Sequence, residues 1–298
     1  AKYADVMERA LYNNVLGSMA QDGKHYFYVN PLEVWPQACS CNPDKHHVKA
    51  ERQGWFGCAC CPPNVARLLT SLNQFIYTTH GDTIFTNLYI GSQLAVKLGD
   101  TEVTLNQQTE FPWNGTVTMK VNPAVEAVFG IALRIPAWSN GMEISVNGEL
   151  LSLDEGVNQG YRVIRRMWKA GDVIEVQIPM EAHRIYAHPN LRADAHKFAI
   201  QRGPLVYCLE GADNGEPLSS ISLSADGGFK ESFEETLLGG AVVVETEGSR
   251  ISERGWNGGL YGRTKAPAEV VPVKAVPYYL WGNRGSGEMR VWIPEDRA

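Results

Sequence analysis

The sequence predicts a mostly β protein with an N-terminal α part, and three observations carry that expectation. From Tyr3 to Met19, and again after Pro62-Pro63, apolar residues recur at the three- and four-residue steps that line one helix face. From Thr83 onward the apolar period drops to two, in short runs rich in Val, Ile, Thr and Tyr. Turn pairs such as Gly99-Asp100, Asn114-Gly115 and Asn147-Gly148 separate those runs at the spacing of antiparallel sandwiches.

The first helix is read from Val6, Ala10, Leu11 and Val15, taken as its inward face. It starts without a Ser, Thr or Asp cap and without Met, which reads as a start inside a larger helical domain. His25 to Pro31 is an extended aromatic run, and Cys39 to Gly57 is an irregular polar loop. Pro62-Pro63 opens a second helix at the turn where a missing N–H costs least, and Val65, Leu68, Leu69, Leu72 and Ile76 form its stripe. Eight strands are expected between Thr83 and Ile178. A second β-rich stretch runs from Met180 to Ala298, interrupted by a surface insertion from Gly211 to Gly239. The division is therefore 1–80 helical, 81–180 a first β-sandwich and 181–298 a second.

The 298 residues carry 27 Lys+Arg against 33 Asp+Glu, a net charge of −6, which argues against a nucleic-acid partner. No apolar run approaches the ~20 residues of a membrane span, so no membrane role is expected. Five of the six cysteines lie between Cys39 and Cys61, and Cys208 stands alone. A secreted disulfide framework spreads its cysteines more widely, so the clustering points to metal or thiol chemistry and to a cytoplasmic rather than a secreted setting.

Within that cluster Cys60 and Cys61 sit at the turn into the second helix. Unpaired N–H groups and the helix dipole favour thiolate there. Neighbouring cysteines seldom form a disulfide with each other without strain, and a soft divalent metal neutralises two thiolates readily, zinc first among the candidates. Two plainer readings stand beside this one. A cysteine is often only a small buried hydrophobe, and Cys39, Cys41, Cys58, Cys60 and Cys61 together offer donors for a structural zinc site, although Cys39-x-Cys41 is tighter than the usual spacing.

The run Gln53-Gly54-Trp55-Phe56-Gly57-Cys58-Ala59-Cys60-Cys61-Pro62-Pro63-Asn64-Val65-Ala66-Arg67-Leu68-Leu69 resembles the signature of glycoside hydrolase family 127, the β-L-arabinofuranosidase family. Phe27 to Glu33, Gln201 to Glu210 and Asn283 to Trp292 resemble it too. The resemblance implies the end of an (α/α)6-barrel catalytic domain followed by two antiparallel β-sandwich domains. It implies retaining, zinc-dependent removal of terminal β-L-arabinofuranose, with Cys60 as the nucleophile that forms a thioglycosyl intermediate, and with Cys60 and Cys61 both on zinc. Tyr28 resembles a family position near the nucleophile, a substrate-binding candidate. The implied partner is an arabinose-containing oligosaccharide or glycoconjugate.

The family's remaining zinc ligands, in a Glu-x-Cys motif, and its general acid/base Glu have no counterpart in these residues. The expectation is a C-terminal portion that lacks the N-terminal half of its catalytic domain and is inactive alone. Glu8 reads as a solvated helix-face charge and Glu33 as a strand-end surface carboxylate. His46 and His47 point to opposite faces of an extended chain and read as surface residues. Trp113, Trp138, Trp168, Trp256, Trp281 and Trp292 read as packing between sheets before they read as a sugar platform, and the clusters Arg162 to Arg166 and Glu231 to Glu235 read as solvated faces. A non-catalytic carbohydrate-binding or interaction module is the rival from another class.

Overall fold

A computed structural model describes residues 1–254, 256 and 259–296. The residues gather into two compact units, Ala1–Leu11 with Cys60–Glu181 and Tyr12–Ala59 with Ala182–Ala298. Among the described residues no helix is long and apolar enough to cross a membrane.

In the first unit two sheets enclose one apolar core. One orders Val157–Asn158, Tyr161–Trp168, Ala127–Arg134, Thr83–Thr86 and Tyr77–His80; the other orders Ser92–Leu98, Thr101–Thr109, Thr116–Pro123, Asp172–Gln177, Glu143–Val146 and Glu149–Leu151. Period-two burial explains the second sheet: Val103, Leu105, Val117, Met119, Ile174 and Val176 point inward while their neighbours face out. They meet Ile84, Phe129, Ile131 and Trp168 from the first sheet. All pairings are antiparallel except Thr83–Thr86 beside Ala127–Arg134. The Asn147-Gly148 signal becomes a hairpin turn with both residues at positive φ, which matches the twist of the strands it joins. At Gly115 the chain passes so close to Ile178 that a Cβ would lie 1.8 Å from its carbonyl oxygen.

The helix Lys2–Arg9 packs otherwise than its apolar period predicts. Ala4 and Glu8 are buried, whereas Val6 is 69% exposed. The reason is the surface it meets. Arg134, wholly buried, donates from Nε to the Asn87 carbonyl at 2.6 Å, from Nη1 to Asp5 Oδ1 at 2.6 Å and from Nη2 to Glu8 Oε1. Trp138 Nε1 donates to the second Glu8 oxygen at 2.8 Å. Glu8 is therefore not a solvated charge: a buried cation selects the acidic face of the helix. The next residues, Ala10–Val15, form a wider π-helical turn, which shifts the face presented by the residues after it.

Among the described residues the strands of the second unit link into one ten-stranded sheet: nine run from Glu33–Val34 through Met289–Arg290, Leu205–Glu210, Ala268–Pro277, Ala241–Ile251, Ile221–Ser224, Ile293–Asp296 and Lys197–Arg202 to Ala182–Tyr186, and Lys230–Glu234 joins off that path beside Ala241–Ile251. Lys197–Arg202 also pairs with Leu205–Glu210, so the path closes on itself. Phe198, Ile200, Tyr207, Val243 and Val273 are buried along it. The expected insertion from Gly211 to Gly239 is not structureless. Ile221–Ser224 and Lys230–Glu234 both pair with Ala241–Ile251, and Ile221 and Leu223 are buried; serines between those apolar residues hide a short alternation. Glu231 departs from a solvated face as well, accepting from Arg202 Nε at 2.5 Å and from the Ala182 N–H at 2.6 Å. Within Cys39 to Gly57 the loop keeps short helical turns, Pro36–Cys41 reaching into it and Pro43–Lys45 inside it.

Candidate active site

The second helix, Cys61–Thr70, starts where the two prolines predict, with Cys60 as its flanking residue. Asn64 Nδ2 donates to the Cys60 carbonyl at 2.7 Å, and Arg67 Nη2 donates to Asn64 Oδ1 at 2.8 Å. These two side chains pin the turn carrying the sulfurs. Their positions, four and seven residues after Cys60, are the helical spacing that could have revealed them in the sequence.

The Cys60 and Cys61 Sγ atoms stand 3.7 Å apart. A disulfide requires about 2.05 Å, whereas two sulfurs each ~2.3 Å from one tetrahedral zinc lie about 3.8 Å from each other. Cys60 is exposed and Cys61 half-buried, so both thiols can be approached from solvent, and the helix N-terminus behind them favours negative charge on either. The donor chemistry and spacing fit two corners of a zinc site. Among the described residues no group of three or more His, Cys, Asp and Glu side chains is placed to hold a metal.

The other candidates are placed as follows. Tyr28 lies in the second unit, where its ring stacks on Phe56 at 4.2 Å and 9°. Tyr26 completes the aromatic trio, and its backbone exchanges two 3.0 Å hydrogen bonds with Gln53. Arg52, next in sequence, is buried with its guanidinium 4.5 Å from the Phe27 ring and donates to the carbonyls of Trp281 and Gly17 at 2.6 and 2.8 Å. Burial holds its pKa down at about 10. Sequence reading missed this anchor because its partners are carbonyls far away in the chain.

Glu33 is exposed and paired with Arg290 at 2.7 Å, a surface carboxylate as its sequence context indicates. His46 and His47 are exposed. Trp168 and Trp281 are fully buried packing residues, Trp113, Trp138 and Trp292 are half-buried, and Trp256 is exposed. Cys208 is buried, which pushes its thiol pKa well up and leaves it an inert hydrophobe.

Compared with known proteins, the chain matches three consecutive family descriptions: "Beta-L-arabinofuranosidase, GH127 catalytic domain" over residues 1–74, "Beta-L-arabinofuranosidase, GH127 middle domain" over 83–180 and "Glycoside hydrolase family 127 C-terminal domain" over 182–294. The chain belongs to glycoside hydrolase family 127. Within the family it is 38% identical over 307 residues to a "Non-reducing end beta-L-arabinofuranosidase" of Bifidobacterium longum subsp. longum, covering 98% of this chain and 45% of the relative. The crystal structure of a GH127 β-L-arabinofuranosidase from Geobacillus stearothermophilus T6 superposes with a TM-score of 0.96 at 48% identity, covering 99% of this chain and 46% of that one. A GH127 β-arabinofuranosidase structure gives 0.87 at 35% identity, over 99% and 46% of the two chains. The chain thus spans about half the length of these family 127 relatives.

Proposed function

We propose that this chain contributes the nucleophile and two zinc ligands to a retaining β-L-arabinofuranosidase. The observation that supports this most is the sulfur pair, 3.7 Å apart at the start of a helix. Zinc, when bound, keeps both sulfurs deprotonated near neutral pH. Cys60 attacks the anomeric carbon, the bond to the leaving-group oxygen breaks, and a thioglycosyl enzyme forms at Cys60; water then releases the sugar. The proton for the leaving group comes from an acid outside these residues, since the first-helix carboxylate, Glu8, is tied to Arg134 and Trp138, and the two remaining zinc ligands, a Glu and a Cys in a Glu-x-Cys segment, likewise have no counterpart in this sequence. Cys61 holds the second zinc position, Asn64 and Arg67 fix the turn, and Tyr28 is the proposed substrate-binding residue. The substrates are arabinose-containing oligosaccharides or glycoconjugates, and the division of labour follows 1–80 as catalytic-domain end, 81–180 and 181–298 as β domains.

Two measurements test the proposal. Cobalt titration of the chain is expected to give a weak thiolate-to-metal absorption band, lost in Cys60→Ser and in Cys61→Ser. An aryl β-L-arabinofuranoside is expected to be hydrolysed only when the region preceding these residues is supplied. Turnover by the 298-residue chain alone, abolished by Cys60→Ser, contradicts the missing acid, and a cobalt band unchanged in both variants contradicts the zinc pair.

A further inference from the structure

A cavity of about 320 Å³ lies wholly within the second unit, and neither Cys60 nor Cys61 lines it. That volume is at the lower end of small-molecule sites. Val34, Val48, Leu218 and Met289, all buried, give it apolar walls, and Trp35, 54% exposed, adds an indole. The rim carries two carboxylates, Glu33 and Glu288, and two cations, Lys45 and Arg290.

The position follows from the sheet. Glu33–Val34 is its edge strand, in register with Met289–Arg290, so Val34 faces Met289 and Glu33 faces Arg290 across the pair. The chain then leaves the edge at Trp35 and returns through Lys45 and Val48, while the turn Leu218–Ser220 closes the remaining side. Glu288 holds that turn, its Oε2 accepting from the Leu218 N–H at 2.6 Å. Glu33 and Arg290 are fixed against each other at 2.7 Å. Arg290 Nη1 is buried with no acceptor among the described residues.

We infer that this cavity binds a neutral saccharide unit through residues other than the cysteine pair. A balanced rim does not select for net charge on the ligand. Carboxylate oxygens accept from hydroxyls and the cations donate to them, while an exposed indole covers the C–H face that a sugar ring presents. The site would hold a second sugar of an arabinose-containing chain, an inference that rests on the proposed substrate class but not on the cysteine chemistry.

The test is ligand-observed saturation-transfer NMR on the full chain, with L-arabinose and methyl β-L-arabinofuranoside as probes and benzoate as an aromatic anion of similar size. Saturable sugar binding is expected in the wild-type chain and in the Cys60→Ser/Cys61→Ser variant. Trp35→Ala is expected to weaken it at least tenfold and Trp35→Phe by much less, with circular dichroism establishing that each variant is folded. Should Trp35→Ala unfold the chain, Glu33→Gln, on an exposed side chain, is expected to weaken binding severalfold. Absence of sugar binding overturns the inference, as does binding of benzoate alone. Binding that survives Trp35→Ala and disappears with the cysteines also overturns it, because the sugar then occupies the catalytic site.

Discussion

Replacing Glu8 tests the least expected feature of the first unit. In Glu8→Ala, Arg134 keeps Asp5 and the Asn87 carbonyl but loses one charge-assisted hydrogen bond, and Trp138 Nε1 loses its acceptor. The first loss is worth about 1.5–3 kcal/mol and the second about 1–3 kcal/mol. Together they come to about 2.5–6 kcal/mol, which brackets the roughly 3–5 kcal/mol for breaking a buried ion pair from one side. Asp5 remains beside Arg134, so the lower half of that range is expected. Replacing both partners, Glu8→Leu with Arg134→Met, removes the uncompensated charge and is expected to cost less than the sum of the single changes. Urea titration of the full chain, followed by near-ultraviolet circular dichroism and tryptophan fluorescence, measures all four corners of the cycle. A Glu8→Ala variant within about 0.5 kcal/mol of the parent, the usual effect of a surface substitution, refutes the buried clamp.

Three further changes follow from the geometry. Gly115→Ala places a methyl group against the Ile178 carbonyl, and a melting experiment is expected to show a loss at or above the ~1–3 kcal/mol of overpacking. Burial alone raises the Asp172 pKa, but hydrogen bonds from the Lys169 N–H at 3.0 Å and Asn147 Nδ2 at 2.9 Å outweigh it and hold it below the ordinary value. The native state therefore binds fewer protons than the unfolded one, so this stabilisation is complete above the unfolded value of about 3.9 and disappears as pH falls through the lower folded one. Denaturation midpoints of parent and Asp172→Asn are accordingly expected to converge in acid. Arg52→Lys keeps the charge but loses the planar fork shared by two carbonyls and the stack on Phe27; a loss of about 2 kcal/mol in urea titration is expected.

Much of the β architecture was legible because its signals are local. Period-two burial from Thr101 to Thr109 and the Asn147-Gly148 turn need no knowledge of distant residues. The helix start at Cys61 was equally local, written in two prolines. What escaped reading depended on partners far along the chain. Glu8 resembles any exposed helix glutamate until Arg134, 126 residues later, is brought against it. The strand Ile221–Ser224 was hidden because its neighbours Ala241–Ile251 and Ile293–Asp296 supply the pairing that its short alternation does not advertise. At the candidate site the cysteines were named by residue type and position, whereas Arg52 satisfies carbonyls of residues 17 and 281 and carries no local pattern.

The closed path of the second unit bears on how that unit assembles. Ile293–Asp296, which comes after the other strands in sequence, bridges Lys197–Arg202 and Ile221–Ser224, the latter through a parallel pairing. Until it emerges from the ribosome, both neighbours present unsatisfied backbone edges able to recruit foreign strands. Closure therefore waits on translation of the keystone, and because contacts of such long sequence separation form slowly, the nascent chain is exposed to mispairing for longest at that seam.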